Sequence, residues 1–157
     1  MHIGKILKVT IISAILTVFS LSELAFSEDL PKAGKRTNTE YFEIVLVKYK
    51  AGMAGKASDY IKKYFIPATK AAGTQAPYVM HMQTGPWDSV YFWKQKDGMG
   101  SFDWYMSADD EKWYAAFAKQ SGGMENAKKI WADYYAMVSS SQRQIGHHHM
   151  PPKGESE

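Results

Sequence analysis

Cysteine does not occur among the 157 residues of this chain. Its absence excludes disulfides, a lipid-modified cysteine and any thiol nucleophile, so a folded domain must hold together by packing alone. Charge of one sign is scarce as well, the formal net charge being +3. The lysines are scattered among Asp and Glu instead of forming a stripe, which argues against a nucleic-acid partner. There is no Gly-x-Ser-x-Gly elbow. Gly98-Met99-Gly100 lacks both the third glycine and the following Lys-Ser/Thr of a phosphate loop.

A long apolar run is also missing. Val9 to Leu21 is interrupted by Thr10, Ser13, Thr17 and Ser20 and then meets Glu23, short of the about 20 predominantly apolar residues that span a bilayer. With Lys5 and Lys8 before it and Ala25-Phe26-Ser27 after it, the run reads as a secretory signal over residues 1–27, cut before Glu28. The expectation is a periplasmic or secreted protein with no stable membrane anchor once the signal is removed. Residues 28–40, polar and containing Pro31 and Gly34, read as a flexible leader. Residues 149–157, with Pro151-Pro152, read as a loose tail.

What the chain does have is aromatic mass: 5 Trp, 10 Tyr and 7 Phe, beside 9 Met. Burying that many rings requires a large core or an interface. Tyr41 to Lys50 alternates, with Phe42, Ile44 and Leu46 on one face and Glu43, Val45, Val47 and Tyr49 on the other. Apolar groups on both faces predict a central strand. Lys56 to Gly73 carries a helical stripe through Ala57, Tyr60, Ile61, Tyr64, Phe65, Ala68 and Ala72. Pro67 should kink or end that helix near Ile66, and Gly73 should stop it.

Pro77–Thr84 and Trp87–Lys96 read as a hairpin about Gly85-Pro86. A four-residue turn would place Met82 opposite Ser89 and Met80 opposite Tyr91. One face would then hold Tyr78, Met80, Met82, Tyr91 and Trp93, and the other Val79, His81, Val90 and Phe92. Ser107 reads as a helix cap followed by Asp109 and Asp110. Gly122-Gly123 separates that helix from a second one, Met124 to Val138, and Ser139 to His148 reads as a polar edge strand.

The order strand, helix, strand, strand, helices, strand is the ferredoxin-like split βαβ arrangement, an α+β fold with helices on one face of a four-stranded antiparallel sheet. Val45, Val47, Tyr49, Tyr91 and Trp93 are expected on the uncovered face, too apolar to remain in water. In this element order, over Tyr41 to His148, the chain resembles the dimeric α/β-barrel superfamily. That group contains relatives of antibiotic biosynthesis monooxygenases, haem-degrading enzymes and stress-responsive barrel proteins. The resemblance implies a homodimer with a ligand pocket between sheet and helices in each subunit. It does not imply one chemistry, because the fold hosts several.

Three groups of side chains are candidates for a site. Tyr49, Tyr78, Met80, Met82, Tyr91 and Trp93 have the surfaces to line a pocket for a small apolar or aromatic compound, or equally to pack against a second copy. His81, in mid-strand, is a candidate base or, as the resemblance implies, a haem ligand. Glu43 is a second candidate acid or base if buried, with Arg143 or Lys48 as partner. His147 and His149 alternate on the last strand and have the donor atoms for Zn, Cu or Ni. Three functions follow: an exported binder of a small apolar or aromatic compound, an oxygenase working without cofactor or with haem, and a structural dimerisation module.

Overall fold

The computed structural model describes residues 31–151. The expected secretory segment lies outside these residues, as does most of the expected tail. Residues 31–37 have no regular secondary structure. The domain then runs through β1 (Thr39–Tyr49), α1 (Ala54–Tyr60), a π-helical stretch (Ile61–Phe65), α2 (Ile66–Ala72), β2 (Tyr78–His81), β3 (Ser89–Gln95), a 3₁₀ turn (Gly98–Asp103), α3 (Ala108–Gln120), α4 (Met124–Met137) and β4 (Val138–His149).

All strand pairs are antiparallel and the sheet order is β2-β3-β1-β4. The α+β, ferredoxin-like expectation therefore holds, with β1 inside the sheet and β4 at its edge. Both are where their residues predict them, since β1 is apolar on two faces and β4 is polar. Gly146 on β4 packs closely against β1. A Cβ there would stand 3.0 Å from Ile44 Cδ1, closer than side chains tolerate without displacement.

The Pro67 effect takes a specific form. Proline has no N–H to return to the preceding turn, and just before it the helix widens. Ile66 N–H reaches back five residues to the Ile61 carbonyl, a π turn of the kind that appears within α-helices. The helix continues to Gly73, whose φ of 65° gives it the left-handed stop that glycine adopts without strain. Ser107 caps α3 through a reciprocal box: Ser107 Oγ accepts from Asp110 N–H at 3.2 Å, and an Asp110 carboxylate oxygen accepts from Ser107 N–H at 2.9 Å.

The core has two connected parts. Val47 and Tyr49 of β1 pack with Ala57, Tyr134 and Met137. Behind them Ala68, Phe117 and Ala127 are enclosed by Tyr64, Trp113 and Trp131. Phe65 belongs to both and joins them.

Two expectations about the sheet are corrected. The first concerns the hairpin, where Tyr78 faces Phe92, Val79 faces Tyr91, Met80 faces Val90 and His81 faces Ser89. The connection is seven residues long, not a four-residue turn, and the pairing is one residue away from the expected one. Asp88 sets this. Its carboxylate accepts from Tyr49 N–H at 2.7 Å, its own N–H donates to the Val47 carbonyl, and its carbonyl accepts from Met82 N–H. A slip of one residue exchanges faces, so Tyr78 and Met80 lie opposite to Tyr91 and Trp93.

The second correction concerns which side the helices cover. They pack on the side of Val45, Val47, Tyr49 and Tyr91, the side expected to be bare. Tyr49 accounts for this, because its hydroxyl needs a partner if the ring is buried and finds two among the groups beneath the helices. Phe42, Ile44 and Leu46, with Val90, Phe92, Tyr78 and Met80 beside them in register, make up the other side.

Candidate functional site

The helix-facing side of the sheet is sealed at one end and open at the other. At the sealed end Tyr49 is 7 % exposed. Its hydroxyl stands 3.0 Å from that of Tyr91 and 3.2 Å from that of Tyr134. Three phenols from β1, β3 and α4 thus satisfy one another in the interior. Burial first, then the bonds to Tyr134 and Tyr91, pushes the Tyr49 phenol far above its ordinary value. Burial likewise holds the Tyr134 phenol high. Both remain neutral hydroxyls over any physiological pH, so neither is a nucleophile or a base.

Towards the other end of β1 the cover thins. Trp93, which faces Glu43 across the sheet, is 37 % exposed. Glu43 accepts an ion pair from Arg143 Nη1 at 3.2 Å, so of the two partners considered for this carboxylate Arg143 is the one that bonds it. The pair joins β1 to β4 diagonally, since Arg143 stands opposite Val45 and Glu43 opposite Ile145. Tyr114 of α3 feels both Tyr135 of α4 and Arg143 electrostatically, and Tyr135 packs edge-on against Trp131. Burial raises the Tyr114 phenol, the Asp110 carboxylate and Tyr135 add to the rise, and the Arg143 guanidinium opposes it. These groups lie within electrostatic reach of one another. Tyr114 also lines a shallow apolar groove with Met106, Glu111, Ala115, Met124 and Lys128, between α3 and the first turn of α4.

The residues singled out in the sequence are therefore divided. Tyr49, Tyr91, Trp93 and Glu43 share the helix-facing side. Tyr78 and Met80 are on the opposite side, and Met82 lies beyond the end of β2, its N–H bonded to the Asp88 carbonyl. His81 is exposed on the edge strand, with Nδ1 3.2 Å from Ser89 Oγ. That position does not suit a haem ligand, which has to present a nitrogen into an enclosed apolar slot. His147 and His149 do come together, their Nε2 atoms 3.1 Å apart. Tyr114, Tyr134 and Tyr135 were not among the residues singled out for a site in the sequence. The available signal was the phenol itself, since a stripe that buries tyrosine must supply a partner for each hydroxyl.

No known protein family matches this sequence, and no curated protein matches it. Among solved structures the chain is similar to a NIPSNAP family protein of unknown function from Agrobacterium tumefaciens strain C58. The TM-score is 0.50 at 11 % identity, over 77 % of this chain and 98 % of that one. A second NIPSNAP family protein from the same strain aligns with a TM-score of 0.48 at 12 % identity, over 80 % of this chain and 97 % of that one. The first of these likenesses is one of fold, in agreement with the four-stranded antiparallel sheet and its helices.

Proposed function

We propose that this chain is a small-molecule-binding domain that takes a flat apolar or aromatic compound at the open, helix-facing end of the sheet. The observation that carries the reading is the contrast along one face: Tyr49 is 7 % exposed and Trp93 is 37 % exposed. The Trp93 ring is one a planar ligand would stack on, and Glu43, across the strand pair from it and paired with Arg143, would orient the ligand. The phenols that the fold shifts are all moved towards remaining protonated.

The test is a panel of aromatic compounds, neutral and carboxylated, screened by quenching of tryptophan fluorescence and by thermal shift. A ligand at about 100 times its Kd stabilises by about 2.7 kcal/mol, which raises the melting temperature of a domain this size by roughly 10 °C. Trp93→Ala should weaken that ligand at least tenfold, since a buried aromatic anchor is worth about 2 kcal/mol or more. A panel without a saturable response, or a ligand indifferent to Trp93→Ala, would reject the reading.

The same proposal includes a homodimer formed through the other side of the sheet. Ile44, Leu46 and Phe92 are contiguous there by register around the buried Val90 and are flanked by Lys48 and Lys94, so the centre of the face is apolar and its margin charged. A two-fold axis through such a face brings like to like at the apolar centre. Phe92→Glu should convert a dimer in sedimentation equilibrium to a monomer at micromolar concentration, with the far-ultraviolet spectrum retained. A wild-type chain that sediments as a monomer at 100 μM (roughly the concentration at which even weak contacts of about 5 kcal/mol register) would contradict it.

A further inference from the structure

We infer that His147 and His149 form a chelate for a divalent transition metal, with Cu²⁺ held most tightly, on the helix-facing side of β4 opposite Tyr41 and Thr39, beside the proposed ligand end. The two residues are two apart on the edge strand β4, so both side chains leave one side of it, while His148 leaves the other. Their Nε2 atoms are 3.1 Å apart. Their ring centres are 4.8 Å apart, and the ring planes meet at 79°.

The two nitrogens are within hydrogen-bond distance of each other, and the same closeness is what two ligands of one ion require. In a linear N–H···N hydrogen bond both nitrogens lie on the line between the rings. With about 1.15 Å from ring centre to nitrogen, the centres would then stand about 5.4 Å apart. The observed separation is shorter, so the rings are inclined with their nitrogen corners leaning together. For a symmetric pair, the lines from each ring centre through Nε2 meet about 2.1 Å beyond the nitrogens, at an angle of about 95°. Metal–imidazole bonds are about 2.0–2.1 Å long, and the angle lies between those of square-planar and tetrahedral sites.

A symmetrically inclined pair is thus spaced as two adjacent ligands around one ion would be. The Tyr41 ring, 5.7 Å from that of His147, packs against one of them. Among the described residues no third His, Cys, Asp or Glu completes the group. Two neutral nitrogen donors suit Cu²⁺ ahead of Ni²⁺ and Zn²⁺ in the usual order of affinity.

The untagged full chain, titrated calorimetrically with CuCl₂ in a non-coordinating buffer, should bind one ion per chain. Loss of even an outer-shell partner typically costs about 10–100-fold in affinity, so His147→Ala and His149→Ala should each cost at least tenfold. His148→Ala, on the opposite side, should leave affinity within about twofold. Electron paramagnetic resonance of the Cu²⁺ form should show splitting from two nitrogens, reduced to one in either single variant. All three histidines are exposed, and melting curves of the variants will confirm that they fold. Unchanged affinity in both outer variants, or an equal loss in His148→Ala, would overturn the assignment.

Discussion

Replacing Phe117 by alanine is expected to cost about 3–5 kcal/mol, the usual range for emptying a buried phenylalanine site. Phe117 is the largest side chain among the described residues to be almost completely enclosed, at 2 % exposure. Its ring lies 5.5 Å from Phe65 edge-on, 4.9 Å from Trp113 and 6.3 Å from Trp131. Each such ring pair contributes beyond simple area burial. Phe65 itself also meets Trp131 and Tyr134, so the cavity would open where the two parts of the core join. With no disulfide to limit the unfolded chain, nothing offsets the loss. Melting temperature should fall by about 10–20 °C. Phe102, on the surface of the 3₁₀ turn, gives the control: its alanine variant should stay within about 0.5 kcal/mol of the parent. A loss below about 1.5 kcal/mol for Phe117→Ala would mean that the cluster repacks, and that the aromatic load is not what holds the domain.

What was legible in the sequence was whatever depends on local pattern. The double-sided apolar run at Tyr41 to Lys50 had to be a central strand, and the polar run after Ser139 an edge. The Ser107 box and the Gly122-Gly123 break are local signals and were read as such. What escaped depends on contacts between distant residues. The β2–β3 register is set by Asp88 reaching Tyr49, 39 residues away, which no turn preference encodes. The choice of covered face was undecidable by alternation because both faces of β1 are apolar, and hydroxyl pairing of Tyr49 with Tyr91 and Tyr134 distinguishes them. The passage from α4 into β4 has no turn residue to announce it, since Met137 ends the helix and Val138 begins the strand. A register shift beyond Lys48 absorbs the mismatch. For the site, Tyr49, Tyr91 and Trp93 were grouped correctly on one side, whereas Tyr78 and Met80 were displaced by that single-residue register error.

The three-phenol cluster sets how the domain should fail in alkali. A phenol in an unfolded chain loses its proton near pH 10. Tyr49 and Tyr134 are 7 % and 9 % exposed, and burial raises both folded values above that point. Below pH 10 folded and unfolded chains hold these protons equally, and the cluster makes stability independent of pH. Above it the unfolded chain releases protons that the folded chain keeps, so stability falls by about 1.4 kcal/mol per pH unit for each phenol. Two phenols carried from pH 10 to 12 remove roughly 5 kcal/mol, comparable with the whole stability of many domains. A first rise in tyrosinate absorbance should be reversible and leave the circular dichroism intact. The last phenols should ionise only together with cooperative loss of secondary structure. Tyr49→Phe refines the test. It should cost about 1–3 kcal/mol at neutral pH, by leaving Tyr91 and Tyr134 short of a partner, and it should lower the alkaline slope by one phenol's share. If every tyrosine titrated by about pH 10.5 with the fold unchanged, water would have to reach Tyr49, and the sealed end on which the contrast with Trp93 rests would not exist.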